Sequence, residues 1–359
     1  MSKQTSPKDP VIAQVKPFHI DVEAGKRYAW CSCGRSASQP FCDGSHGGTD
    51  FRPVMYTASE DRSLLFCGCK HTRDQPFCDG SHNNLVDEYI TDDRPRDELL
   101  AGTVLADFDA GGKALLDGSC FVRQHDRLQW SERGGVALAP VIEQQDGARF
   151  LTQSALRLEA DQSAIFSTPD AEVVLYTLAG EGSITISGRP FALAPRSGAL
   201  VRPGEAFQLQ RTESGQALHL LMTVCPGNAG LPLVDAMPDN FDADFADRTA
   251  AYDASQRKPM ADRFYQVLIG EGTGSDEVSQ FIGEVPQSKA APHRHLYEEA
   301  LVILAGHGTM WTETRRAPVR SGDLIFLPAR QEHSLECESA EGLVLAGHFY
   351  PAGEPNINY

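Results

Sequence analysis

The chain has 359 residues, 41% of them hydrophobic and 23% charged, and a formal net charge of −17. That length suits two or three domains, each able to bury its own core. No run approaches the roughly 20 apolar residues of a membrane span, and the acidic balance excludes a phosphate backbone as the main partner, because nucleic-acid binders concentrate Lys and Arg.

Residues 1–16 read as an N-terminal tail. The opening Met1-Ser2-Lys3-Gln4-Thr5-Ser6-Pro7 lacks the apolar core of a secretory signal, so the expected compartment is the cytoplasm. Thiols there stay reduced, and nine cysteines then point to metal or catalysis before disulfides. Six lie between Cys31 and Cys78, whereas Cys120, Cys225 and Cys337 stand singly in later segments and read as plain core or surface thiols.

Residues 17–85 contain an internal repeat. Cys31, Cys33, Cys42 and His46 recur 36 positions later as Cys67, Cys69, Cys78 and His82, with Pro-Phe-Cys-Asp-Gly-Ser-His spelled identically in both copies. Short strand patterns precede each copy, at 19–22 and 28–30 for the first and at 53–56 and 64–66 for the second. Three thiolates and an imidazole suit either zinc or an iron–sulfur cluster, and the spacing leaves both open. The string resembles the CDGSH (NEET) iron–sulfur family, whose pattern is C-x-C-x2-S/T-x3-P-x-C-D-G-S/T/A-H. Cys31, Cys33, Ser36, Pro40 and Cys42-Asp43-Gly44-Ser45-His46 fill it once, and Cys67, Cys69, Thr72, Pro76 and Cys78-Asp79-Gly80-Ser81-His82 fill it again. The resemblance implies one 2Fe-2S cluster per motif, held by Cys31, Cys33, Cys42 and His46 and by Cys67, Cys69, Cys78 and His82, with the two halves packed together. A histidine in place of one thiolate makes such a cluster less negative. Its potential should lie above the about −400 mV of all-Cys plant-type ferredoxins, toward the Rieske range, and the cluster should be lost in acid as the histidine protonates. Asp43 and Asp79 are expected to cap a helix or orient the histidine, and His71 to be a surface residue.

Residues 86–130 turn acidic and Gly-rich, with Asp92-Asp93-Arg94-Pro95-Arg96 and Gly111-Gly112 reading as a connector. Beyond it, short apolar runs broken by Gly and Pro predict β-barrels rather than alternating helices. This rhythm also occurs twice: 173–182 (VVLYTLAGEG) matches 300–308 (ALVILAGHG), and 197–203 (SGALVRP) matches 321–328 (SGDLIFLP). The boundaries are a first barrel at 131–228, an acidic connector at 229–262 with a helix expected around 241–255, and a second barrel at 263–359.

In the second barrel, Pro292-His293-Arg294-His295-Leu296-Tyr297-Glu298-Glu299 leads to Gly306, and Gly322 to Pro328 leads to His333. His293 and His295, two apart on a strand, share a face. The segment resembles the cupin family, with motifs G-x5-H-x-H-x3-4-E-x6-G and G-x5-P-x-G-x2-H-x3-N, which implies His293, His295, Glu299 and His333 as metal ligands and as the catalytic centre. Glu298 is the rival carboxylate, and the count to Gly306 favours Glu299. Gly283 lies too far upstream for the first glycine, Arg330 replaces a glycine and Cys337 an asparagine. In the first barrel the matching positions are Ser167, Pro169 and Val173, with Phe207 and Gln208 near the fourth, so that barrel is expected to hold no metal and to serve packing, dimerisation or pocket shape. The whole would then be mainly β: a tandem CDGSH domain followed by two cupin jelly rolls.

Three His and one carboxylate suit Fe(II), Mn, Ni, Zn or Cu, and iron is favoured by the company of iron–sulfur motifs. His307, His348, Tyr297 and Trp311 either line the mouth of the barrel or are ordinary strand packing, and they stand outside the catalytic set. The leading expectation is an oxidoreductase, a cupin oxygenase acting on a small organic substrate, with 2Fe-2S clusters supplying electrons from a reductase or ferredoxin. Alternatives are a redox or iron sensor with a metabolite-binding cupin, and a redox-neutral isomerase or decarboxylase.

Overall fold

A computed structural model of the chain describes residues 10–14, 17–79, 81–84, 94–212, 216–260, 262–295, 297–352 and 355. Gly80 of the second motif, the Asp92-Asp93 pair, Leu296 and the opening Met1 to Pro7 lie outside the described residues. The chain divides into two compact units, one built on residues 1–89 and one on 90–355. Among the described residues no helix is long and apolar enough to cross a membrane.

The sequence repeat folds as an interlaced pair. Phe18–Val22 pairs antiparallel with Arg62–Phe66, and Arg27–Trp30 with Val54–Thr57, so every strand of one copy finds its partner in the other. The reason lies in size: a two-stranded piece is marginal in water, and only the joined copies enclose Trp30 and Phe66, both with no exposed surface. Tyr28, Phe41, Tyr56 and Phe77 ring Phe66 at centroid distances of 5.4 to 6.2 Å. Part of the stretch read as a tail is also structured. Val11 N donates to Cys33 O at 2.9 Å, and Ala13 N and Gln14 N donate to Gly68 O at 3.2 and 3.3 Å, so residues 11–14 strap both Cys-x-Cys turns. Gly34 accepts this strap because it has no side chain: with φ +75°, an added Cβ would stand 1.6 Å from Val11 O.

The larger unit is built mainly of strands, and among its described residues they form two barrels of two sheets each. In the first, the seven-stranded sheet runs Thr249–Ala251, Ser197–Val201, Glu172–Ala179, Leu218–Cys225, Thr152–Leu158, Val136–Ile142 and Ser131–Arg133. A five-stranded sheet faces it, from Arg189–Leu193 through Gly182–Ile186, Glu205–Arg211 and Ile165–Thr168 to Leu233–Val234. In the second, an eight-stranded sheet carries Arg263–Ile269, Ser279–Val285, Leu343–Tyr350, Glu298–Ala305 and Leu324–Leu327 in its middle, and the facing sheet has His333–Cys337, His307–Thr312 and Arg315–Arg320. Inward alternation fills each barrel, around Ile184, Phe207 and Leu220 in the first and around Met310, Leu335 and Phe349 in the second. A third apolar layer, with Val141, Leu221, Ile282 and Ala300, joins the two large sheets back to back.

Both stretches read as connectors contribute to the barrels. Lys113–Leu115 and Phe121–Arg123 extend the eight-stranded sheet, and Val104–Leu105 runs parallel to Arg315–Arg320 after a short helix, Arg96–Gly102. Ala114, Cys120 and Val122 are fully buried there, inside a segment whose glycines and acids mask so brief an apolar signal. In the acidic stretch, the helix expected around 241–255 is not formed. Thr249–Ala251 pairs with Ser197–Val201 and Lys258–Met260 with Arg263–Ile269. Arg248, with no exposed surface, meets Glu205 through two nitrogens at 2.7 and 2.8 Å and donates to Phe245 O and Asp242 O at 2.7 and 3.1 Å. A buried bidentate pair of this kind fixes the segment against the first barrel.

Candidate metal centres

In the N-terminal unit each motif gathers its donors as two pairs. Cys31 Sγ lies 3.6 Å from Cys33 Sγ, and Cys42 Sγ lies 3.1 Å from His46 Nδ1. The second motif repeats this with Cys67 and Cys69 at 3.5 Å and Cys78 and His82 Nδ1 at 3.3 Å. Cys31, Cys33, Cys67 and Cys69 are buried at the ends of the short strands, and Cys42 and Cys78 are half-buried. Backbone pairing holds each loop closed, since Cys31 N donates to Pro40 O at 2.8 Å and Cys67 N to Pro76 O at 2.9 Å. The Cys67–Cys69 contact lowers the pKa of Cys67 and raises that of Cys69, and it sets two sulfurs close enough to share one metal ion. Two donor pairs per motif match the two irons of a 2Fe-2S cluster.

Asp43 does not turn to the histidine. Its carboxylate accepts from Ala37 N at 2.8 Å and Ser45 N at 2.9 Å, and Asp79 repeats this with Arg73 N at 2.8 Å and Ser81 N at 3.0 Å. These bonds, with that of the Ser45 side chain first, hold the Asp43 carboxyl well below the usual range. The aspartate therefore closes the ligand loop on itself, as Asx turns do, and His71 is exposed.

In the second barrel His293 and His333 are brought side by side by the backbone, each N–H donating to the other's carbonyl at 3.0 and 2.9 Å. His293 Nδ1 bonds Ala291 O at 2.8 Å and His333 Nδ1 bonds Gln331 O at 2.9 Å, which places the proton on Nδ1 and turns an Nε2 lone pair inward. Ligand atoms of His293, His295 and His333 lie within 4.8 Å of one another, and Glu299 Oε2 is 3.5 Å from His295 Nε2. Burial drives His293 down to about 4 and His333 to about 3, so both rings are neutral, and it pushes Glu299 up to about 8. Desolvation alone raises this carboxyl among three neutral imidazoles, and a divalent cation bound there would ionise it; the donor set fits a mononuclear metal.

The two adjacent glutamates have opposite tasks. Glu299 faces the histidines, whereas Glu298 accepts from Arg149 N, Phe150 N and Leu151 N at 2.6, 3.0 and 3.2 Å. Glu172, its counterpart in the first barrel, accepts from Asp276 N and Glu277 N at 2.9 and 3.2 Å and from the Ser275 hydroxyl at 2.6 Å. Each barrel thus clasps a loop of the other through one carboxylate. In the first barrel Val173 and Phe207 belong to the apolar core, Ser167 is half-buried, Pro169 is exposed, and Gln208 donates to Ser163 O at 2.7 Å.

Around the histidines, Tyr297 stacks between His295 and Phe349, 4.5 Å from each, so it lines the site. His307 meets Ser339, Trp311 donates to Glu336, and His348 lies between the barrels with Gln280. Arg330, standing where the cupin pattern has glycine, has φ +70°, which explains the pattern, since that conformation suits glycine. A residue that motif reading passed over is Arg263. It precedes Tyr265 by two on one strand, so both point into the second barrel, and its buried guanidinium lowers the pKa of His293 after desolvation and the opposing bond to Ala291. Strand parity was the signal that could have found it. A cavity of about 150 Å³ opens beside His333 under the helix Arg96–Gly102, with Leu99, Trp311, Thr312 and Glu332 in its wall.

Comparison with known proteins matches these two places. The family model described as an iron-binding zinc finger of CDGSH type covers residues 10–47, and that of the cupin domain covers 283–346. Two curated relatives named CDGSH iron-sulfur domain-containing protein 3, mitochondrial, are similar in the N-terminal unit. The Mus musculus protein is 50% identical over 56 residues, 15% of this chain and 41% of its own length, and the Homo sapiens protein 46% identical over 59 residues, 16% and 46%. The chain thus spans less than half the length of these relatives. Among solved structures, a deletion mutant of Bacillus subtilis oxalate decarboxylase superposes with a TM-score of 0.51 at 14% identity over 64% of this chain and 77% of that one. The Lactobacillus farciminis oxalate decarboxylase formate complex gives 0.52 at 12% identity over 65% and 86%, and the Ylba protein of E. coli 0.51 at 16% over 72% and 98%. These likenesses are of fold. The chain carries a CDGSH iron–sulfur domain at its N-terminus and a cupin domain near its C-terminus, within a mainly β, two-barrel architecture.

Proposed function

We propose that this chain is a metal-dependent cupin oxidoreductase: an oxygenase whose second barrel binds a small organic substrate and whose N-terminal unit delivers single electrons received from a separate reductase or ferredoxin, within one chain or across a homodimer contact. The observation that carries the reading is the convergence of His293, His295, His333 and Glu299 in a chain that also presents eight cluster donors in two matching sets. When bound, a mononuclear iron supplies dioxygen activation and two 2Fe-2S clusters supply one-electron reduction. The chain's own residues do the rest. The carbonyls of Ala291 and Gln331 fix the tautomers of His293 and His333, and Tyr297, Phe349 and Leu335 keep water from the barrel. Arg263, buried and 3.5 Å from Asp262, is the cation whose field reaches His293, and it suits a carboxylate or similar anion on the substrate.

That charge also favours a second reading, a redox-neutral isomerase or decarboxylase acting on an anion, for which the fold's likeness to oxalate decarboxylases is a reason to test oxalate first. One experiment separates them. The protein is reduced anaerobically with dithionite, mixed with dioxygen and a panel of small carboxylates, and oxygen uptake and cluster reoxidation are followed in the parent and in His293→Ala. The oxygenase reading expects uptake in the parent and reoxidation at least tenfold slower in the variant. Equal reoxidation in both overturns it and gives the lead to a redox sensor, and turnover of a carboxylate without oxygen uptake gives it to the redox-neutral enzyme.

A further inference from the structure

Between the two Cys-x-Cys turns lies a buried cation that the motifs do not require. Lys70 follows Cys69, as Gly34 follows Cys33, and both residues have a left-handed backbone, with φ 68° and 75°. Glycine takes that conformation freely, whereas a lysine takes it at a cost, so the second copy keeps a strained residue where the first has the relaxed one. The side chain is the reason available. Lys70 is 3% exposed, and its Nζ donates to Cys67 O at 2.9 Å and lies 4.8 Å above the ring of Trp30. Trp30 precedes Cys31 of the other motif, and its Nε1 donates to the same Cys67 carbonyl at 2.9 Å.

The ammonium is thus pinned between the last strand residue of the first motif and the first ligand of the second. Cys67 O belongs to the first ligand of the second motif and Trp30 adjoins Cys31, the first ligand of the first, so the ammonium stands beside both cysteine pairs. A second such lysine has no room, since Val11 O occupies the space where a side chain at 34 would begin.

We propose that Lys70 is a positioning residue for electron transfer: one ammonium, shared by both motifs, that raises the reduction potential of both clusters by stabilising their reduced, more negative states. The inference rests on the cluster reading above. In one-electron reduction each cluster gains a negative charge, and a buried cation beside both cysteine pairs favours that reduced state over the oxidised one, so at least a tenfold shift of the equilibrium is expected.

The test is potentiometric titration of the full chain against redox mediators, followed by visible absorption and by the electron paramagnetic resonance of the reduced clusters. Lys70→Met and Lys70→Gln should lower the potentials of both clusters by at least tenfold in equilibrium constant, about 59 mV for one electron. Lys70→Arg should stay near the parent. If both uncharged variants fail to assemble clusters while Lys70→Arg assembles them, a requirement for charge is supported by that route. Potentials unmoved in Lys70→Met or Lys70→Gln with clusters intact, or Lys70→Arg failing just as the uncharged variants do, would overturn the inference and leave packing as the role. A parent protein without iron and sulfide overturns the cluster reading and this inference with it, which distinguishes the two failures.

Discussion

Glu298 and Glu299 are neighbours with the same side chain, and a strand's alternation sends them to opposite faces of the eight-stranded sheet. Glu299→Gln should lower the metal content of the second barrel with little change in folding stability, because a neutral amide replaces a carboxyl that burial already holds near about 8 in the absence of metal. Glu298→Ala should do the reverse. It strands backbone donors of residues 149–151, at about 1 to 3 kcal/mol for each buried group, and is expected to cost several kcal/mol in denaturant unfolding while metal binding persists in the folded fraction. Metal loss in Glu298→Ala at full stability would exchange the two roles. His348 offers a pH test at the same scale. Burial lowers it to about 3 from 6.5, and its Nε2 accepts from Gln280, whose amide also donates to Leu175 O of the first barrel. A depressed histidine contributes stability that is present above its unfolded pKa of 6.5 and is lost as pH falls toward about 3. Unfolding at pH 7, 5.5 and 4.5 should therefore show a loss in the parent that exceeds that of His348→Gln by on the order of a few kcal/mol, the depressed His293 and His333 contributing equally to both; parallel slopes would show that His348 is not responsible.

At the scale of elements, the paired copies of the CDGSH motif depend on strands exchanged between them, and residues 11–14 bind both turns at once. Gly34→Ala tests this strap. Its Cβ would collide with Val11 O in a backbone conformation already unfavourable for alanine, so the strap must lift. The expected result is a cluster domain destabilised by at least 2 kcal/mol and faster amide exchange at Val11, read by hydrogen–deuterium exchange. Unchanged exchange at Val11 would mean that the strap does not bear on Gly34. Gly306 has the same logic in the second barrel, where φ +85° and Gly342 O at 2.5 Å from an added Cβ require glycine at the turn after the strand Glu298–Ala305.

At the scale of the whole molecule, the cysteine sites and the histidine site belong to different compact units, each with its own core. His293→Ala or His333→Ala should remove one metal per chain and leave the cluster absorption spectrum intact, as checked by metal analysis beside visible absorption. Simultaneous loss of both signals would show that the units fold together. Zinc in place of iron in the N-terminal unit would sink the cluster assignment itself.

The eight cysteine and histidine positions of the repeat, the four cupin positions and the recurring barrel rhythm were legible in the sequence because each rests on local spacing: a ligand loop, a strand alternation, a glycine turn. The short strands of the N-terminal unit were legible for the same reason, within a residue or two. Contacts distant along the chain were not. Segments read as connectors joined the barrels because their few apolar residues are buried only by strands some 200 positions away, and the acidic stretch around Arg248 gave up helix for a pairing with Glu205. The clasp of Glu298 on residues 149–151 and the placing of Lys70 between two cysteine pairs were decided by tertiary structure alone. Burial sets the worth of a charge, and burial is a property of the folded surroundings, which no spacing along the chain encodes.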